Sequence, residues 1–272
     1  MKTIAAMLAA VRGKLPAFEA RLLLSHVVQQ SPVWLLTHDD HELDETAWRD
    51  FAHLVARRHA GEPVAYLLGR REFFGREFVT APGALIPRPE TELLVEVALQ
   101  KLGAGETPRL IDLGTGTGCI AITLALECSS AEVTALDVSL DALAIAAENA
   151  RRLKAPVRFL YSDWYAAVQN EVFDIILSNP PYIAMTDVHL TQGDLRFEPH
   201  AALVGGMDGL DAIRHLIAAA PAHLSAHGQL WLEHGYDQAD AVRELLTAAG
   251  FLAIEQHRDL AGLVRVSGGR RC

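Results

Sequence analysis

The sequence predicts a mainly parallel α/β sheet domain with one antiparallel strand, preceded by a small all-helical domain. Three observations carry this. The first sixty residues are patterned as helices without a strand signal. From residue 109 onward, strand-like and helix-like segments alternate. A glycine-rich turn, Asp112 to Gly118, joins the first strand and helix of that alternation. Alternation of this kind means a parallel sheet covered by helices.

The elements follow in order. Phe18, Leu22, Leu23 and Val27 are placed on one helical face. Ser31-Pro32 is an N-cap followed by proline at the first helical position. Asp44 caps a helix whose apolar stripe is Trp48, Phe51, Leu54 and Val55, with Gly61 as its terminator. Near 72–79 a Gly-Arg pair between two aromatic runs (EFFGREFV) suggests a hairpin. The prolines of IPRPETE then hold the backbone extended, and a helix starts at Glu90 or Thr91. The expected division is a helical domain over 1–62, a linker with a hairpin over 63–86, and the sheet domain over 87–272.

Within that domain RLIDLG, EVTALD, VRFLYSD, FDIILSN, QLWLEHG, FLAIEQHRD and GLVRVSG read as strands. CIAITLALE, SLDALAIAAENARRL, Leu210 to about Leu224, and Gln238–Ala249 read as helices. The last two strands are separated by hairpin spacing, so one of them runs antiparallel.

Composition narrows the function. The 272 residues are 50% hydrophobic and 21% charged, which suits a globular chain and excludes disorder. No apolar run approaches the roughly 20 residues of a membrane span, and the start reads as a helix rather than a signal peptide. Three cysteines without a CxxC pair point to a reducing, cytoplasmic setting. The twelve histidines form no zinc-like cluster, so no metal is expected. Residues 1–75 are electrically balanced, and the whole net charge of −10 lies in 76–272. An acidic domain repels phosphate backbones, which counts against a stable nucleic-acid partner.

Gly114-Thr115-Gly116-Thr117-Gly118 lets the backbone turn sharply and approach a ligand at the carboxyl ends of the strands. The dinucleotide pattern G-x-G-x-x-G is not met, because position 119 is Cys. The preceding Asp112 suits a cationic amino group and would repel a pyrophosphate. Asp137, ending the next strand, can accept two ribose hydroxyls, with helix capping as the competing role. After the third strand, Asp163 offers an acceptor for an adenine amino group and Trp164 a flat face for its ring.

Asn179-Pro180-Pro181-Tyr182 follows the fourth strand. The diproline leaves little torsional freedom. It fixes two acceptors, the Asn179 side-chain oxygen and the Pro180 carbonyl. Such a pair suits a planar –NH2 group, whose two hydrogens need two acceptors. An amide or aromatic amine is a poor nucleophile because its lone pair is delocalised. Accepting both hydrogens polarises the nitrogen and aims it at an electrophile.

Together, DLGTGTG, the Asp137 acid and NPPY resemble class I S-adenosylmethionine-dependent amino-methyltransferases. IPRPETE at 86–92, SDWY at 162–165, NPPYI at 179–183, LEHG at 232–235 and the helical N-terminal domain resemble the HemK/PrmC family within them. The resemblance covers nearly the whole chain. It implies a Rossmann-like methyltransferase domain and transfer of methyl from S-adenosylmethionine to the glutamine amide in the Gly-Gly-Gln loop of peptide-chain release factors. It implies that Gly114–Gly118 line the methionine part of that cofactor, that Asp137 holds the ribose, and that Asp163 and Trp164 lie by the adenine. By the same resemblance Asn179 and Pro180 hold the substrate amide, Asn179 borders both ligands, and Pro181 and Tyr182 wall the glutamine pocket. Monomer is the default state. Arg88, Glu90, Glu92, Glu233 and His234 are left without a role, with capping, surface pairing or quiet burial as alternatives. The rival readings are an adenine amino-methyltransferase of nucleic acid, which needs a basic groove, and a binding module that senses S-adenosylmethionine without turnover.

Overall fold

The computed structural model describes residues 2–103 and 107–272. It divides into two compact units, Met1–Arg70 and Arg71–Cys272.

The first unit contains β1 (Lys2–Thr3), α1 (Ile4–Ala10), α2 (Ala17–Val28), α3 (Pro32–Thr37), β2 (Glu42–Leu43), α4 (Glu45–His59) and α5 (Val64–Leu68). The caps are those the sequence specifies. Ser31 Oγ accepts from the Trp34 N–H at 3.1 Å, and Asp44 Oδ1 accepts from the Ala47 N–H at 2.8 Å. The core gathers Ile4, Met7, Leu23, Leu24, Leu35 and Phe51. Two details differ from expectation. β1 and β2 form a short antiparallel pair in a stretch read as strandless. On α2 the buried apolar residues are Ala20, Leu23 and Leu24, while Phe18 and Leu22 are exposed. The sequence holds two competing helical stripes there. The one running through the small Ala20 packs against α4, α3 and α5, because a small side chain lets neighbouring helices approach.

A hairpin begins at the boundary of the two units, with β3 (Arg70–Phe73) and β4 (Arg76–Val79). Its turn is Phe74-Gly75, one residue earlier than the Gly-Arg pair. Both have positive φ, 51° and 72°, as a two-residue hairpin turn requires. Then come α6 (Glu92–Lys101), β5 (Arg109–Leu113), α7 (Cys119–Glu127), β6 (Glu132–Asp137), α8 (Leu140–Leu153), β7 (Val157–Tyr161) and β8 (Phe173–Ser178). They are followed by α9 (Asp211–His223), β9 (Leu224–Glu233), α10 (Ala239–Ala248), β10 (Leu252–Arg258) and β11 (Val264–Arg270).

The seven-stranded sheet has the order β10-β11-β9-β8-β5-β6-β7. Strands β9, β8, β5, β6 and β7 are parallel, and β11 runs antiparallel between β9 and β10. The predicted antiparallel strand is thus the last one. Successive strand residues face opposite layers. Leu110 and Ile175 pack with α6 and α7, whereas Ile111 and Ile176 pack with α9 and α10. Burial on both faces explains why these strands are apolar throughout rather than alternating.

This topology positions the site. From β5 the chain crosses to β6 on one side, while β8 lies on the other. That reversal leaves a crevice beyond the carboxyl ends of β5 and β8.

Candidate active site

A cavity of about 250 Å³ occupies that crevice. It is lined by Gly114 to Thr117 after β5, Asp137 to Ser139 after β6, Ser162 to Trp164 after β7, and Asn179 and Pro181 after β8. Residues 83–88, Thr91, Cys119, Pro199, Ala201 and Ala202 also line it.

The glycine turn is held by β6: the Gly114 and Thr115 N–H groups both donate to the Leu136 carbonyl, at 2.9 and 2.8 Å. Gly116 and Gly118 both have positive φ, but for different ends. A Cβ on Gly118 would meet Ile122 Cδ1 at 2.8 Å and Ala146 Cβ at 3.1 Å, so this glycine permits close helix packing. A Cβ on Gly116 would meet nothing within 4 Å, and Gly116 lines the cavity, so this glycine leaves space for a ligand.

Asp137 supports the turn as well as facing the cavity. Its Oδ2 accepts from Gly116 N–H at 2.9 Å and its Oδ1 from Ser139 N–H at 2.8 Å. Each oxygen retains a lone pair for a further donor. Burial raises its pKa, and the N–H groups of Ser139, Gly116 and Val138 oppose the rise. Capping of α8 falls to Ser139, whose Oγ accepts from Ala142 N–H at 3.2 Å. Asp163 is exposed and Trp164 half-buried on the wall. Trp164 has φ 47°, and Ser162 Oγ donates to its carbonyl at 2.7 Å.

Asp112 does not line the cavity. It is fully buried, and Thr115 Oγ1 donates to its Oδ2 at 2.6 Å. Desolvation pushes its carboxyl up to about 7, against the Thr115 hydrogen bond and with a further push from Asp137. Cys119 lines the cavity, but burial pushes its thiol up to about 12, so it is no ready nucleophile.

Asn179 follows Ser178, whose Oγ donates to the Leu113 carbonyl at 2.6 Å and ties β8 to β5. Asn179 Nδ2 donates to Thr91 Oγ1 at 3.0 Å. That bond commits the nitrogen end of the amide and leaves Oδ1 as the free acceptor. Pro180 is buried and Tyr182 half-buried, and neither is part of this cavity's wall. The Tyr182 hydroxyl donates to Glu233 Oε1 at 3.3 Å. Gln238 Nε2 donates to the Tyr182 carbonyl at 3.0 Å. A Cβ at Gly205 would lie 2.4 Å from the Pro181 carbonyl oxygen, and one at Gly209 would lie 2.2 Å from that of Tyr182. The diproline segment is therefore clasped from behind by glycine backbone.

The remaining polar residues separate into distinct roles. Glu198 is buried; its Oε2 accepts from Ile86 N–H at 2.9 Å, and its Oε1 pairs with Arg88. Glu92 accepts from Phe74 N–H at 2.9 Å and so serves the hairpin. Glu90 is exposed. His234 is a satisfied buried histidine between the Gly235 carbonyl at 2.8 Å and Ser267 Oγ at 2.7 Å. The sequence marks Thr91 and Gln238 only as helix starts and does not single out Glu198; their roles around the site come from the structure. The local signal for Thr91 is the PRPETE segment that holds it, and for Glu198 the single Pro199 that follows it. Among the described residues, no group of three or more His, Cys, Asp or Glu side chains could hold a metal ion. No helix among them is long and apolar enough to cross a membrane.

The chain matches two family models: the PrmC N-terminal domain over residues 1–69 and the Methyltransferase small domain over residues 89–195. The release factor glutamine methyltransferase of Bordetella pertussis is 53% identical over 259 residues, covering 94% of this chain and 95% of that relative. Among solved structures, a methyltransferase from Pyrococcus furiosus superposes with a TM-score of 0.56 at 20% identity, covering 81% of this chain and 98% of that one. The T. thermophilus 16S rRNA methyltransferase RsmC, in complex with AdoMet and guanosine, gives 0.54 at 21% identity, covering 75% of this chain and 50% of that one.

Proposed function

The chain belongs to the release factor glutamine methyltransferase family, and from that premise we propose that it methylates the side-chain amide nitrogen of a release-factor glutamine in a Gly-Gly-Gln loop. The observation that carries this reading is the arrangement of Asn179. Its nitrogen is committed to Thr91, its oxygen is free, and it shares one cavity with Gly116, Asp137 and Trp164.

The residues present fit S-adenosylmethionine. Gly116 leaves open space where a side chain would stand, Asp137 keeps lone pairs for hydroxyl donors, and Trp164 offers a flat face. In this reading the 114–118 turn lies along the methionine part, Asp137 holds the ribose, and Asp163 and Trp164 border the adenine. When bound, the cofactor would supply an electrophilic methyl on a sulfonium, whose transfer would make the N–CH3 bond at the expense of the S–CH3 bond, leaving S-adenosylhomocysteine and one released amide proton.

The chain's own part is positioning. Asn179 Oδ1 and the Pro180 carbonyl accept the two amide hydrogens and orient the nitrogen, while Pro181 and Tyr182 confine the flat group. Fixed acceptors stabilise positive charge as it develops on nitrogen, at no reorganisation cost during reaction. No strong general base is needed if the proton leaves late. The helical unit leaves Phe18, Val33 and Leu36 exposed, which offers a release factor contact area beyond its loop.

Transfer of labelled methyl to purified, unmethylated release factor tests the reading, beside a factor whose loop glutamine is replaced and beside DNA and RNA. Label on the first alone is expected. Label on nucleic acid alone would move the assignment to adenine amino-methylation. Cofactor binding without any acceptor would make the chain a sensor.

A further inference from the structure

We propose that Thr91 and Glu233 are positioning residues that set which end of the Asn179 amide faces the substrate. The proposal rests on Asn179 being the acceptor for the reacting amide, as argued above.

The topology brings the three together. In the parallel pair of β8 and β9, Ser178 is opposite Leu232, so Asn179, the first residue beyond β8, comes beside Glu233, the last residue of β9. Thr91, 2% exposed at the start of α6, accepts from Asn179 Nδ2 on its Oγ1, and its hydroxyl is near enough to Glu233 to favour the charged form without hydrogen-bonding to it. Glu233 is 1% exposed, takes the Tyr182 hydroxyl on Oε1, and keeps Oε2 buried with no hydrogen-bond partner. One carboxylate therefore holds the Tyr182 hydroxyl on Oε1 and has a buried oxygen, Oε2, open to the Thr91 hydroxyl, and each hydroxyl belongs to or touches a residue of the NPPY element.

Proton counting gives the direction. A carboxylate only accepts, and a hydroxyl has one hydrogen to give. With Glu233 ionised, the Thr91 and Tyr182 hydrogens both turn toward it. Thr91 then has only lone pairs for Asn179, which must answer with Nδ2, so Oδ1 faces the cavity. A protonated Glu233 has a hydrogen of its own to donate. The Thr91 hydrogen is then released toward Asn179, and the matching end of the amide is Oδ1. The amide turns over and presents N–H groups to a substrate –NH2, a donor against a donor.

Glu233 is placed to make this change near neutrality. Burial pushes its carboxyl up to about 7, against the Thr91 and Tyr182 hydroxyls and the Arg265 charge, with Glu90 adding to the rise. The other groups facing this network are the Cys119 thiol at the start of α7, itself raised in part by Glu233, and Arg88, which acts on Tyr182. His234, the next residue, has its pKa lowered by burial, so it remains neutral there.

The test has two arms. The first is steady-state methylation of release factor between pH 6 and 9, with cofactor affinity measured by calorimetry. The wild-type kcat is expected to fall as pH drops through about 7, with cofactor affinity unchanged. Glu233→Gln and Thr91→Val should each lower kcat roughly 10–100-fold, the cost of slight misplacement. Both should flatten the acid limb and leave KM nearly unaltered, and Thr91→Ser should restore both rate and profile. The second arm needs no substrate. The Asn179 side-chain NH2 resonances, assigned by their loss in Asn179→Ala, should titrate with the same midpoint in the wild type and stop titrating in Thr91→Val and Glu233→Gln. Resonances that ignore pH, or a Glu233→Gln enzyme with wild-type kcat and profile, would overturn the positioning role and leave methyl transfer standing. A wild type that labels no release factor would sink the functional reading instead, and the resonance arm alone then decides the relay. If Glu233→Gln does not fold, the Thr91 pair and the wild-type titration decide it.

Discussion

Asn179 carries its proposed role in one atom, Oδ1, because Nδ2 is already spent on Thr91. Removing it should therefore damage turnover and spare binding. Asn179→Ala is expected to lower kcat about 10²–10³-fold, the range for losing one preorganised group at a reacting centre. Cofactor affinity should drop less than about tenfold, the worth of one hydrogen bond. Calorimetry beside single-turnover rates checks this, and equal losses in both would remove Asn179 from the chemistry. Gly116 and Gly118 make a second contrast. Both have positive φ, which costs a side chain about 1–2 kcal/mol. Gly118→Ala adds overlap with Ile122 and Ala146, so it should lose about 2–3 kcal/mol in urea unfolding. Gly116→Ala should lose only the backbone share, yet bind S-adenosylmethionine more weakly, because its methyl would project into the cavity. The reverse ranking would mean that Gly118, not Gly116, borders the ligand.

Elements were legible in the sequence where their signal was local. Ser31 and Asp44 cap helices through partners three residues away, and the strands from β5 onward announce themselves by unbroken apolar runs. The buried face of α2 is not legible locally, because two stripes compete on it and only packing chooses between them. The site was half legible for the same reason. The glycine turn, Asp137, Trp164 and Asn179 lie at strand ends, where the parallel order alone gathers them. Thr91, Glu198 and Gln238 act on partners 88, 112 and 56 residues distant, and no local pattern encodes that. Glu198 ties the 86–88 segment to the short turns after β8, two parts of the cavity wall that no strand connects. Glu198→Ala would strand the Ile86 N–H and the Arg88 guanidinium, at a cost of about 1–3 kcal/mol. Its larger effect should be on KM, since the two wall segments would move independently. Hydrogen exchange should show faster exchange at Ile86 and near Pro199 while the sheet core remains protected. Uniform loss of protection would mean that Glu198 supports the whole unit instead.

Across the whole molecule, the acidic excess of the second unit has an interior component that governs its response to pH. Most of the 25 carboxylates of residues 76–272 are at the surface, where water and salt screen them. Asp112 and Glu233 are fully buried, and desolvation pushes both carboxyls up to about 7. The folded state then holds these protons more tightly than the unfolded chain does. For such groups stability is fully present below the unfolded values near 4 and is lost as pH rises toward about 7. The sign is opposite to that of an ion-paired carboxylate such as Asp208, held down at about 2 by Arg214, which loses its contribution only in strong acid. The second unit should thus be more stable at pH 5.5 than at pH 8, by on the order of a few kcal/mol from these two groups. Asp112→Asn keeps an acceptor for the Thr115 hydroxyl and removes the charge. Its unfolding midpoint should exceed the wild-type value at pH 8 and approach it at pH 5.5. If the two proteins keep a constant offset across that range, Asp112 is ionised in the folded state throughout. The buried charge would then have to be compensated within the turn itself, where Thr115 and the N–H groups that open α7 are the groups at hand.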